Sequence, residues 1–120
     1  MAPYFSAAAL TNDPVERMKL VMTATIACIV PNHTWSKPLN PILGETHEAM
    51  LNDGSHVYVE QISHHPPISF ILVDGPDNLY QFSGYSCFSV KAFINSVNLE
   101  VSGFKQIKFK DGSKIKFNNQ

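Results

Sequence analysis

The sequence predicts an α+β fold, mainly β, in which an N-terminal helix precedes an antiparallel meander of strands. Three observations carry this. The pattern Asp13-Pro14-Val15-Glu16 opens a run whose apolar residues recur at helical spacing. From Glu45 onward, short β-patterned runs are separated by turn residues at regular intervals. A length of 120 residues suits one domain with a modest core.

Residues 1–11 are small and apolar, uncharged, and contain Pro3, so the expectation is a disordered lead-in. A helix is expected over residues 13–30. Asp13 suits the N-cap, Pro14 the first helical position, and Glu16 completes a capping-box spacing. Val15, Met18, Met22, Ile26 and Ile29 share one face, expected to pack into a core rather than onto a membrane. Pro31 stops the helix near Val30. Residues 32–44, punctuated by Pro38, Pro41 and Gly44, read as an ordered loop, because Trp35, Leu39, Ile42 and Leu43 call for burial.

Antiparallel strands are expected across residues 45–120. Residues 56–62 alternate, and residues 68–73 form a run ended by Asp74-Gly75-Pro76-Asp77-Asn78. Runs at 79–82, 85–93 and 96–101 follow. In the last hairpin, Ile107, Phe109, Ile115 and Phe117 should share one face, and Lys108, Lys110, Lys114 and Lys116 the other. A two-residue Asp-Gly loop would mix these faces. A three-residue loop, Lys110-Asp111-Gly112 with Gly112 left-handed, keeps them apart. The lysine face reads as solvated, with a membrane-contacting patch as the alternative.

Formal charge is −1, and there is no aromatic-and-basic pattern, zinc-finger spacing or basic helix, so no nucleic-acid partner is expected. Cys28 and Cys87 form no short-range metal pair and are expected as buried thiols. No basic segment leads a long apolar run, so no signal peptide is expected. The apolar stretch 20–30 is short of the ~20 residues a membrane span needs. Asn32-His33-Thr34 fits the glycosylation pattern, which a cytosolic protein would leave unmodified.

The run Glu60-Gln61-Ile62-Ser63-His64-His65-Pro66-Pro67-Ile68-Ser69 carries the chemistry. Its prolines exclude helix interior and central strand, and Pro66 pushes His65 toward extended backbone. Two imidazoles are thereby held side by side on a stiff corner, where ring N–H groups can donate to a phosphate. The bland alternative is a packed corner that satisfies backbone groups. A zinc site using His64 or His65 with His33, His47 or His56 lacks the helical H-x-x-x-H spacing. A hydrolase using His64 as base lacks a nucleophile elbow and a phosphate-cradling glycine loop.

The run resembles the E-Q-x-S-H-H-P-P signature of the oxysterol-binding-protein-related lipid-transfer domain. Lys37-Pro38-Leu39-Asn40-Pro41-Ile42-Leu43-Gly44-Glu45 is similar to that family's K-P-x-N-P-x-L-G-E element, and Asp13-Pro14-Val15-Glu16-Arg17-Met18 to its D-P-x-E-R-M helix start. The resemblance runs from about Asn12 to about Gly103, with departures at His47, where an aromatic is common, and Ile94, where a glycine is.

The resemblance implies part of an incomplete lipid-binding β-barrel, without enzymatic activity or cofactor. It implies exchange of a sterol or a phosphatidylserine-type phospholipid against phosphatidylinositol 4-phosphate between membranes, in a cytoplasmic protein peripheral to them. It assigns the headgroup to Lys37, Asn40, His64 and His65. The family's domain is several times longer, so its lid would precede Met1, and its further headgroup residues and barrel-closing strands would follow Gln120. The chain is therefore expected to be a fragment or a truncated product, with self-association through open sheet edges. A phosphoinositide-binding remnant without transfer, or a structural fragment, is the alternative.

Overall fold

The computed structural model describes residues 1–28 and 41–118. Two helices, α1 (Ala2–Leu10) and α2 (Pro14–Ala27), precede seven strands. These are β1 (Thr46–Met50), β2 (His56–Ser63), β3 (Ile68–Asp74), β4 (Tyr80–Phe93), β5 (Ser96–Ser102), β6 (Phe104–Phe109) and β7 (Lys114–Asn118). Every pairing is antiparallel. The sheet runs β1-β2-β3-β4-β6-β7, with β5 on the outer half of β4. Strands β1 and β7 end it, so among the described residues it does not close.

The N-terminus corrects the sequence reading. Residues 2–10 are helical rather than a disordered lead-in, with Pro3 in the first turn. The alanines that looked featureless let α1 approach closely. Ala2, Phe5 and Ala8 are buried, and the Phe5 ring lies 5.4 Å from Tyr80 and 5.3 Å from Phe82. Phe5 inserts an aromatic anchor into the sheet, and this burial, not helix propensity, holds so short a helix.

Helix α2 starts as expected, with the Asp13 carboxylate accepting from the Val15 N–H at 2.9 Å. The capping box does not form. The Asp13 N–H donates to the Thr11 hydroxyl, while Glu16 pairs with Lys19 at 3.5 Å. The described helix ends at Ala27, and Ile29 and Val30 lie outside the described residues. The expected core face is also corrected. Val21 and Ala24 are buried, whereas Val15, Met18, Met22 and Ile26 are exposed. Two faces of α2 carry apolar residues, and α1 with the sheet covers the one with the smaller side chains. Ile42 and Leu43 are likewise exposed at 70% and 63%, contrary to the burial expected for that loop.

The runs 79–82 and 85–93, expected as separate strands, merge from Tyr80 to Phe93 into one 14-residue strand, β4, with Leu79 left in the preceding turn. It changes partner along its length. Residues 80–84 pair with β6, and residues 87–93 pair with β5. Gly103 makes the change possible. Its φ is +152°, and a Cβ there would lie 2.1 Å from the Tyr85 carbonyl oxygen. The outer β4–β5 ribbon projects past β3, and the molecule measures 52 × 28 × 25 Å.

The terminal hairpin forms as expected. Ile107 faces Ile115, Lys108 faces Lys114, the Phe109 N–H reaches the Ser113 carbonyl, and Gly112 has φ +85°. The apolar set points to the helices and the lysines point away. The core is thus a single layer of helix-facing side chains: Phe5, Val21 and Ala24 against Val73, Tyr80, Phe82, Ile107 and Phe109. The opposite face carries Tyr58, Glu60, Phe70, Leu72 and Tyr85, because side chains alternate along paired strands.

Candidate binding site

His64 and His65 sit in the turn, residues 64–67, that joins β2 to β3. Both are exposed, and their rings lie 4.6 Å apart at 63°. The His65–Pro66 peptide is cis. Sequence order alone explains the approach of the two rings, but the surrounding contacts hold the turn in place.

Gln61 is the main support. It is 2% exposed on the helix-facing side, with Glu60 on the other side of the strand, as the alternation requires. Its amide donates to the Ser63 carbonyl at 2.9 Å and accepts from the Ser69 hydroxyl at 2.5 Å. These bonds span the register shift at Gln61/Ser63, where β2 breaks its ladder with β3. On the other flank, the Phe88 N–H donates to the Pro67 carbonyl at 3.2 Å. The turn is therefore fixed from both β2 and β4.

Gln61 also links two of the sequence motifs. The Gly44 N–H donates to the Gln61 carbonyl at 2.8 Å, and the Gln61 N–H donates to the Glu45 carbonyl at 3.0 Å. The Glu45 carboxylate accepts from the Ile42 N–H at 2.9 Å and so fixes the end of the preceding loop. The described end of the proline-rich element thus lies beside the histidine turn. Lys37 and Asn40, the other two expected headgroup residues, lie outside the described residues.

Beyond the turn, on the face away from the helices, an open cleft of about 420 Å³ is lined by Thr46, Glu48, Tyr58, Glu60, Phe70 and Leu72 among others. Its floor is apolar and its rim acidic. Glu60 has no ion-pair partner among the described residues. Among the described residues no cluster of His, Cys, Asp and Glu is arranged to hold a metal ion. No described helix is long and apolar enough to cross a membrane.

The sequence profile described as oxysterol-binding protein matches residues 2–120. The chain belongs to the oxysterol-binding protein family. It is 44% identical over 114 residues to oxysterol-binding protein 9 of Dictyostelium discoideum, covering 95% of this chain and 27% of that one. To oxysterol-binding protein-related protein 1 of Homo sapiens it is 38% identical over 94 residues, covering 77% and 10%. The chain therefore spans well under two thirds of these relatives. Its fold matches the Osh1 ORD domain solved with ergosterol, with a TM-score of 0.82 at 26% identity over 98% of this chain and 29% of that one. The Osh3 ORD of Saccharomyces cerevisiae, solved with PI(4)P, matches with a TM-score of 0.73 at 27% identity over 96% and 31%. The barrel of those domains is here incomplete and open.

In this family member the third motif has a structural role that its pattern did not reveal. The Arg17 guanidinium donates to the carbonyls of Ala8 at 2.9 Å and Thr11 at 2.6 Å, and to Asp111 and Ser113 at 2.6 Å each. It also lies 4.8 Å from the Phe109 ring centre. Arg17 thus clamps the α1–α2 corner to the β6–β7 loop. Hydrogen bonds from the Ser113 side chain and backbone, and then Arg17, hold the Asp111 carboxyl down at about 2. Lys105 is a second residue the sequence did not single out. It is half-buried beside Cys28, and desolvation lowers its ammonium below the usual lysine range.

Proposed function

We propose that this family member binds lipid by its phosphorylated headgroup, and that its parent activity is non-enzymatic exchange of a sterol or phosphatidylserine-type phospholipid against phosphatidylinositol 4-phosphate between membranes. The observation that carries the reading is the buttressed, outward-facing His64–His65 pair in a member of a family whose solved relatives hold ergosterol and PI(4)P. Two ring N–H donors fixed beside each other suit the several acceptor oxygens of a phosphomonoester. Lys37 would add a compact cation and Asn40 an amide donor from the adjoining element. The apolar residues Tyr58, Phe70, Leu72 and Tyr85 offer the lipid body a surface, so burial supplies affinity and the headgroup contacts supply specificity. This chemistry suits a cytoplasmic protein that touches membranes peripherally.

A second reading is favoured by the open sheet, whose ends β1 and β7 do not meet among the described residues. An unclosed sheet cannot exclude water from an acyl chain. Headgroup binding without transfer then remains as the activity of the 120 residues by themselves.

Liposomes carrying phosphatidylinositol 4-phosphate or ergosterol, incubated with the chain and with His64→Ala/His65→Ala, test both readings. Phosphoinositide-dependent binding that the double variant loses supports the headgroup site. Movement of lipid to acceptor liposomes separates transfer from binding alone. Equal binding by parent and variant would overturn the assignment. Lys37→Ala should weaken binding by about 1.5–3 kcal/mol, as for a hydrogen bond to a charged group; unchanged binding would show that Lys37 is merely solvated.

A further inference from the structure

We propose that the tip of the β4–β5 ribbon, Phe93 and Ile94, enters the bilayer interface and sets the height at which the histidine turn meets a lipid headgroup. The direction of the ribbon, the make-up of its tip and its length point to this.

The direction follows from the pairing. Strand β2 ends in the histidine turn, β3 returns from it, and β4 again runs the way β2 does, because each pairing is antiparallel. Cys87 stands across from Ile68, the first residue of β3. The Phe88 N–H donates to the Pro67 carbonyl, so the ribbon leaves the sheet beside the turn. Residues 88–93 therefore project past the turn, on the end of the sheet that His64 and His65 occupy. The apex is closed by the chain itself. Phe93 pairs with Ser96, and Ile94 and Asn95 form the loop between them. Its shape depends on no free strand edge.

The tip is apolar where turn chemistry asks for the opposite. Two-residue hairpin loops favour Gly, Asn and Asp. Asn95 meets that preference and Ile94 does not. Ile94 is wholly exposed, Phe93 is 59% exposed, and neither packs into the core. The charged residues of the stretch 88–102 are Lys91 and Glu100, which approach to 3.8 Å, so the ribbon carries no net charge into an interface. The lysines of β6 and β7 lie toward the other end, where Lys108 is on the rung of Gln81 and Asp74.

The length fits a bilayer. From Phe88 to Phe93 the strand spans roughly 17 Å at ~3.3 Å per residue. An interfacial apolar segment sits about 5–10 Å into the headgroup–acyl boundary. A ribbon standing upright then holds the turn roughly 7–12 Å above that boundary, at the outer limit of a headgroup layer about 5–8 Å thick. A phosphorylated headgroup projects to that height. This match of heights rests on the headgroup reading of His64 and His65; entry of the tip does not.

The test uses the full chain with phosphatidylcholine vesicles brominated along their acyl chains. Ile94→Trp should show blue-shifted emission and quenching absent from the parent, whose single tryptophan is Trp35. Phe93→Asp/Ile94→Asp should lower partitioning about tenfold or more, since two apolar side chains return to water, and Ile94→Leu should keep it. Partitioning should change little with salt. His64→Ala/His65→Ala, combined with Ile94→Trp, should still be quenched; if only the headgroup reading fails, tip entry persists while phosphatidylinositol 4-phosphate adds nothing to binding. The proposal is overturned if the introduced tryptophan stays unquenched, whether open to water or covered by a second copy. It is also overturned if the Asp variant partitions like the parent, or if binding falls away with salt, which would assign the contact to the lysines of β6 and β7.

Discussion

Arg17 illustrates what single residues contribute. Its acceptors come from α1, from the α1–α2 corner and from a loop more than ninety positions away in the chain. Arg17→Ala should cost on the order of 2–3 kcal/mol in chemical denaturation, from lost charged hydrogen bonds and from the packing over Phe109. Arg17→Lys should recover little, because one ammonium cannot reach all four partners. The Asp111 carboxyl, held at about 2 in the fold against an ordinary 3.8, binds its proton less readily folded than unfolded. Its stabilising contribution is therefore complete above pH 3.8 and is lost as pH falls toward 2. Asp111→Asn should flatten the acid limb of the stability curve in that window; an unchanged acid limb would show that the carboxylate contributes nothing. Gln61→Ala should cost about 1–3 kcal/mol by stranding the Ser63 carbonyl and Ser69 hydroxyl, and should loosen the histidine turn. The motif residues were legible in the sequence. Their structural partners were not, because a local pattern carries no information about which distant oxygens a guanidinium or amide will meet.

Hairpins and helices differed in legibility for a physical reason. The β6–β7 hairpin could be read to its register, since side-chain period, loop length and the Gly112 requirement are all local and mutually restrictive. Helix α2 could be placed but not oriented. Which of its apolar stripes is buried depends on α1, and α1 itself lacked charge, strong periodicity and polar caps. Strand β4 looked interrupted at Ser83-Gly84, yet it continues there because Gly84 lets the Phe104–Lys105 backbone approach closely. Two glycines give a graded test. Gly112→Ala meets open space and bears only left-handed strain, about 1–2 kcal/mol. Gly103→Ala adds a clash with the Tyr85 carbonyl and should lower the melting temperature further. Equal melting temperatures would contradict the account of how β4 changes partner.

At the scale of the whole molecule, the family, the mainly-β class and the open antiparallel sheet were all legible, the family from motifs whose order no composition could mimic. The topology was not, because β5 and β6 share one side of β4 and only a glycine marks the division. The projecting β4–β5 ribbon exposes Phe88, Val90, Phe93, Val97 and, at its tip, a wholly exposed Ile94. Such a surface favours association. Sedimentation should show concentration-dependent oligomers that Phe93→Asp/Ile94→Asp disperses. A strictly monomeric parent would show that the ribbon is tolerated in water.

The central claim, that the buttressed histidine turn receives a phosphorylated headgroup, is tested most directly by following the ring resonances of His64 and His65 by NMR during titration with water-soluble, short-chain phosphatidylinositol 4-phosphate. The account predicts saturable shifts of both rings, little response to short-chain phosphatidylinositol without the phosphate, and loss of the response in Gln61→Ala, where the turn is no longer held. Rings that stay unmoved at saturating phosphoinositide, or that respond equally to the unphosphorylated lipid, would contradict it.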